Sequence, residues 1–250
     1  MLQEWRIMLN PHIIGFEMAG VDLEVDGEER KPEVVSRIEE PEGVTTIVDF
    51  HGKGLEVVLY YENDESLQEE TRQMRLISNS STITVWKSPF PPRGGSMKKL
   101  DWEIVSAMRD DPRRNLDEVG RLRRVSVRSV QRRISTLSSR KAIYLVGTPA
   151  VDKLGGLIGS FLVFCPDRQK KSAADRVVRS TLNGVAFLHT GPEQYSVFGV
   201  VCQNLAEADQ VLATLKGLYE VQSVNMGIVK GFIRTDAWLD AEIREHAKES

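Results

Sequence analysis

The sequence predicts an α+β protein in which two βαββαβ units flank a winged helix-turn-helix. Three observations lead there. The same order of alternating strands and amphipathic helices occurs twice. A short, strongly basic stretch lies between the two occurrences. SPFPPRGGS, residues 88–96, has three prolines and two glycines, which disfavour helix and central strand and mark the boundary before that stretch. Residues 1–92 are therefore expected to form one unit, 97–147 the helix-turn-helix, and 148–250 a second unit ending in a helix.

In the first unit VDLEV (21–25), VTTIVDF (44–50), LEVVLYY (55–61) and TITVW (82–86) alternate or run apolar as strands do, and helical spacing places helices near 32–38 and 65–76. The second unit repeats the order. Its strands are SFLVF (160–164), VAFLHT (185–190), YSVFGVV (195–201) and VQSVNMGIV (221–229), with helices near 170–180 and 205–215. NGVAFLHTGPEQYSVFGVVCQN (183–204) lies over EGVTTIVDFHGKGLEVVLYYEN (42–63) with Gly184 on Gly43, so internal duplication is the simplest explanation. Each unit reads as a ferredoxin-like fold. A lone sheet of this kind leaves one apolar face uncovered, so the two are expected to pair within one chain, with a dimer using the same faces in trans as the rival.

The net charge of −3 hides an asymmetry. Residues 1–96 carry 9 Lys+Arg against 18 Asp+Glu, 97–145 carry 13 against 6, and 146–250 carry 11 against 12. A basic module between acidic or neutral neighbours is the electrostatic footprint of a nucleic-acid-binding domain. Within it LDWEIVSAMRD reads as a helix with Leu100, Ile104, Val105 and Met108 on one stripe. Asn115 caps a second helix in a capping box with Glu118, burying Leu116, Val119 and Leu122, and Gly120 permits close helix approach. Ser126 caps a third helix with Val127, Val130, Ile134 and Leu137 inward. Turning about 100° per residue puts Arg128, Arg132 and Ser135 outward, with Ser129 beside them. This third helix suits the DNA major groove, while Arg124, Arg133, Arg140 and Lys141 suit phosphates. Duplex DNA is the expected partner.

Hydrophobic residues make up 41% and charged residues 28%, and no apolar run reaches the roughly 20 residues of a membrane-spanning helix. MLQEWRIMLN lacks the features of a secretory signal, so the expected location is the cytoplasm. The 2 cysteines, Cys165 and Cys202, read as core residues. No metal site, cofactor or catalytic residue is expected.

The stretch LDWEIVSAMRDDPRRNLDEVGRLRRVSVRSVQRRISTLSSRKAI resembles the DNA-binding unit of the Lrp/AsnC family of transcriptional regulators, with its LD opening and VS-x-x-x-V-x-x-R-I-x-x-L recognition helix. TPAVDKLGGLIGSFLVF resembles that family's exit into its RAM/ACT-like effector domain, and residues 1–92 resemble the same segment again. The resemblance implies sequence-specific DNA binding, most simply as a homodimer. It also implies that MLQEWRIML is a residual wing strand, and that effector sheets pair by facing each other across a shared core. It further implies a small-molecule effector, such as an amino acid, near the turns between second and third effector strands. There Gly52, Gly54, Gly191, Gln194 and Tyr195 are candidates, with Glu56 near the place of the family's aspartate.

Two alternatives stand beside this regulator. The scaffold also resembles siroheme decarboxylases, for which His51 and His189 are candidate acid-base groups. The third reading is a protein-interaction regulator without specific DNA readout. The arginine-rich third helix is not degenerate and no nucleophile motif appears, so the chain is expected not to be an enzyme.

Overall fold

A computed structural model describes residues 2–88, 96–182, 185–189 and 194–249. Most of the SPFPPRGGS boundary, Gly184, Gly191 and the His189 side chain lie outside the described residues. Each repeat runs β-α-β-β-α-β. The first comprises β2 (Glu17–Glu24), α1 (Lys31–Ile38), β3 (Val44–Phe50), β4 (Gly54–Tyr61), α2 (Asp64–Ser78) and β5 (Ile83–Ser88). The second comprises β7 (Leu157–Phe164), α6 (Arg168–Thr181), β8 (Val185–His189), β9 (Tyr195–Cys202), α7 (Leu205–Lys216) and β10 (Ser223–Arg234). Preceding them are β1 (Leu2–Leu9) and, between them, α3 (Lys99–Met108), α4 (Leu116–Arg123), α5 (Val127–Ser139) and β6 (Ile143–Pro149); α8 (Ala237–Glu249) follows.

The two repeats share one antiparallel sheet of eight strands, ordered β5-β2-β4-β3-β10-β7-β9-β8. β10 makes this possible by its length of 12 residues. Ser223–Val229 pairs with β7, and from Val229 to Arg234 the strand pairs with β3 across a bulge. Strand alternation then sorts the side chains. Val21, Ile47, Val57 and Leu59 pack under α1 and α2, and Phe161, Phe198, Val200 and Val224 pack under α6 and α7. The opposite, helix-free faces meet each other. Trp86 of β5, at one end of the sheet, packs on Leu162 and Val197 near the other end, while Val48, Phe50, Ile158 and Val229 form a second contact. Tyr195 Oη donates to the Lys87 carbonyl at 2.6 Å. The sheet thus folds over on itself, and the facing of the repeats is joined to a continuous ladder through β10 and β3 that the sequence did not reveal.

Strand β1 pairs antiparallel with β6, Ile7 opposite Leu145, and the two form a ribbon beside the α3–α5 module. Ile104, Val105, Met108, Val119, Val130 and Leu137 of that module share one core with Ile7, Leu9 and Ile143 of the ribbon and Leu239 and Ile243 of α8. Two predicted core positions are wrong: Leu122 is 58% exposed and Val127 38%. Helix α4 ends at Arg123 because Arg124 takes a left-handed conformation (φ 55°), and Val125 in the turn packs on this core. Asn115 caps α4 through the Asp117 amide, without the predicted reciprocal bond from Glu118, which pairs with Arg114 at 3.8 Å instead.

Candidate functional site

On the third helix of the basic module, Ser126 caps α5 by accepting from the Ser129 amide. Arg124, Ser126, Arg128, Arg132, Ser135 and Lys141 are exposed and Ser129 is half-buried. Arg124, Arg128, Arg132 and Lys141 form no salt bridge with a described residue. Two predicted phosphate contacts are turned elsewhere. Arg133 pairs with Asp101 of α3 at 2.6 Å, and Arg140 donates to the Ser96 carbonyl at 3.2 Å. Both brace α5 against the start of the module.

At the predicted effector turns, the described residues serve the backbone and its packing. Gly52 sits at φ 77° in a tight turn, and the buried Lys31 ammonium fills the space beneath it, donating to the Phe50 and Gly52 carbonyls and pairing with Asp49 at 2.6 Å. Gly54 packs against Phe50. Gln194 is exposed, its carbonyl accepting from the Cys165 amide, and Tyr195 serves the contact with Lys87. His51 is exposed. None of these described residues lines the cavity between the two repeats.

That cavity, of about 420 Å³, lies between the two helix-free faces. Met18, Val58, Tyr60 and Trp86 form one wall, and Ile158, Gly199, Val201 and Val229 form the other. The β1–β6 ribbon and Leu239 of α8 close one end. Its volume is that of an ordinary small-molecule site, and its walls are mainly apolar. Arg6 is the cation in the lining. Its guanidinium is engaged by Asp236 at 3.0 Å and by the Thr46 hydroxyl at 2.9 Å.

Behind this end lies a buried ionic network. Asp236 also accepts from Arg109, at the end of α3, and from Arg234, while Asp240 pairs with Arg109 at 2.8 Å and Arg234 at 2.9 Å. Burial raises the Asp236 carboxyl, but the guanidiniums of Arg109, Arg6 and Arg234 outweigh it and hold the group below its ordinary value. The network ties the ribbon, the helix-turn-helix and α8 to the sheet.

Glu56 is the unusual lining group. It is 3% exposed, faces the cavity and has no hydrogen bond or ion pair with a described residue. Directly opposite it in the β2–β4 register stands Asp22, whose Oδ2 accepts from Trp86 Nε1 at 3.0 Å. Burial, and then the neighbouring Asp22 carboxylate, push Glu56 well above the usual range. Burial pushes Asp22 up to about 7 against the lowering pull of the Trp86 bond. Neither acid was singled out from the sequence as a proton carrier. The available signal was an acidic residue on the second face of each strand, VDLEV and LEVV, whose other face is apolar.

No protein-family profile matches the chain, and no curated relative matches it. Among solved structures, the siroheme decarboxylase NirDL matches 98% of this chain and 84% of its own at 13% identity, with a TM-score of 0.64. Its complex with an iron-uroporphyrin III analogue matches 98% and 83% at 14% identity, with a TM-score of 0.62. AsnC of E. coli is 21% identical over 54% of this chain and 93% of its own, with a TM-score of 0.43. At these identities the likeness shows the fold: an α+β architecture with antiparallel strands. One expectation is overturned. The sequence leads to the expectation of a non-enzyme, yet a structure matched over nearly the whole chain is that of an enzyme. An arginine-rich third helix is therefore no argument against catalysis. Among the described residues, no helix is long and apolar enough to cross a membrane.

Proposed function

We propose that this chain is an enzyme of the siroheme-decarboxylase architecture, with the cavity between its repeats as the reaction chamber and acid-assisted decarboxylation as its chemistry. The observation that carries the reading is Glu56, a buried, unpartnered acid facing an apolar chamber. An apolar wall destabilises a substrate carboxylate relative to the uncharged carbon dioxide that leaves, and a carboxyl whose burial favours its protonated form supplies the proton that replaces it. The lining does not fit a uroporphyrin, whose many carboxylates call for several free cations, whereas Arg6 is already engaged by Asp236. The substrate is accordingly smaller and less anionic. Carbon dioxide release from isotopically labelled carboxylic acids, with iron-uroporphyrin III as comparator, tests the reading. Activity should vanish in Gly199→Phe, which fills the cavity; release that survives this change places the chemistry elsewhere.

We also propose that α5 docks on duplex DNA, two chains serving a palindromic site. The specific support is the exposed set Arg124, Arg128, Arg132 and Lys141, which lacks ion partners among the described residues. A small molecule in the cavity is then positioned to act as effector, through the network linking Arg6 and Asp236 to Arg109. Gel-shift titration of random and selected duplexes at two salt concentrations tests this, and binding without any salt dependence would count against it.

A further inference from the structure

We propose that Glu56 and Asp22 form a proton-sharing carboxyl pair that protonates an electron-rich aromatic carboxylic acid, of the pyrrole- or indole-carboxylate class, held in the cavity. Glu56 is the catalytic residue and Asp22 a positioning residue. The inference rests on the decarboxylase reading above and gives it a substrate class and a proton donor.

Geometry comes first. The β2–β4 ladder sets Asp22 and Glu56 directly opposite each other on the same face, at the spacing where cross-strand side chains interact. Glu56 reaches the cavity, whereas Asp22 stands behind it, fixed by Trp86. Two carboxyls set opposite each other in an apolar wall resist ionising together, and each raises the other's hold on a proton, which favours a state with one proton between them. The second repeat provides an internal comparison. Its corresponding ladder, β7–β9, pairs Leu162 with Val197, and both pack against Trp86. Duplication kept the register and left the acids on one wall only. A buried carboxyl with no hydrogen-bond donor or cation against it destabilises a fold, so its presence facing a cavity points to a functional group.

The substrate class follows from the walls. Trp86, Tyr60 and Phe232 supply aromatic surface, the remaining lining is mostly aliphatic with a few hydroxyls, and the lining cation Arg6 is already paired. A flat, compact ring with a single carboxylate fits these terms. In the step, the Glu56 proton passes to the ring carbon that bears the carboxylate. The bond between that carbon and the carboxyl group then breaks, its electron pair restores the aromatic ring, and carbon dioxide leaves. The carboxylate pair regains its proton from water. Nothing is oxidised or reduced.

Infrared difference titration of the full chain tests the pair without any substrate. The wild type should display a protonated carboxyl at neutral pH. The signal should be lost in Glu56→Gln and should titrate at lower pH in Asp22→Asn. Absence of that signal from the wild type, or its survival unchanged in Glu56→Gln, overturns the pair; the wild-type spectrum decides even if a variant fails to fold. A second arm supplies pyrrole-2-carboxylate and indole-3-carboxylate in heavy water. Carbon dioxide and ring-deuterated product from the wild type, a loss of at least about 100-fold in Glu56→Gln and a shifted pH–rate profile in Asp22→Asn support the proposal. The expected infrared signal without product from any carboxylic acid overturns the decarboxylase reading and proton delivery together, and leaves only the shared proton standing.

Discussion

Arg6 and Asp236, 230 positions apart, meet at 3.0 Å at the closed end of the cavity. Asp236 is 3% exposed and also receives Arg109 and Arg234, so one carboxylate holds three guanidiniums from β1, the end of α3 and β10. Removing its charge leaves buried cations uncompensated. Asp236→Asn should therefore lower unfolding free energy by about 3–5 kcal/mol in urea titration. A loss below about 1 kcal/mol would mean that the network contributes no more than surface pairs do.

The same group sets an acid limit. Its folded-state value lies below the ordinary 3.8, so the unfolded chain binds its proton first and the stabilisation is complete only above that value. As pH falls through 3.8 toward the folded value, stability should decline in the wild type and more weakly in Asp236→Asn.

The acids at the cavity act in the opposite direction. Asp22 is raised from 3.8 to about 7, so the folded state retains its proton longer, and stability is lost as pH rises between those values. Asp22→Asn and Glu56→Gln should be more stable than the wild type at pH 8, on the order of 1–3 kcal/mol, with little difference at pH 4. Equal melting temperatures for all three proteins at pH 8 would contradict this.

Gly120 lies where α4 turns toward α5. A Cβ there would stand 2.7 Å from the Val125 carbonyl oxygen, a backbone atom that cannot swing aside. Gly120→Ala should cost about 1–3 kcal/mol of stability, read by thermal melting, and should displace α5 from its capped position.

Neighbouring arginines on α5 should separate two roles. Arg132 is exposed and lacks an ion partner among the described residues, so Arg132→Ala should weaken binding to a selected duplex by about 1–3 kcal/mol while leaving the melting temperature unchanged. Arg133 is held by Asp101, so Arg133→Ala should lower the melting temperature. If both variants lose DNA binding equally with no change in melting, the outward set has been assigned to the wrong face.

Much of this architecture was legible because strands and helices carry short-range periods. VDLEV alternates, the helix carrying Val130 and Leu137 has its apolar stripe, and Ser126 announces its start. The recurrence of Asn63 and Asn204, each capping a helix after the third strand of its repeat, lies in the duplicated segment. Long-range pairing carries no such period. Nothing in LQEWRIML specifies β6 as partner, and nothing in MGIVKGFIR announces that one strand serves two neighbours. The candidate site was missed for the same reason. Glu56 was noticed as standing near an aspartate of related turns, yet its chemistry comes from the register with Asp22 and from the second repeat covering that face. Glycine-rich turns stand out in sequence, although at Gly52 the composition is explained by backbone conformation and by Lys31 beneath it.

The double pairing of β10 also bears on how the chain reaches this state. During synthesis, the first repeat emerges with every strand of its own order in hand, yet the edge of β3 stays open until residues 223–234 leave the ribosome. For most of translation that edge is an unpaired template able to recruit the wrong strand, including one from a neighbouring nascent chain. The final strand is thus the keystone, and completion of the fold waits on contacts of very large sequence separation, which makes it slow relative to chains built from local contacts.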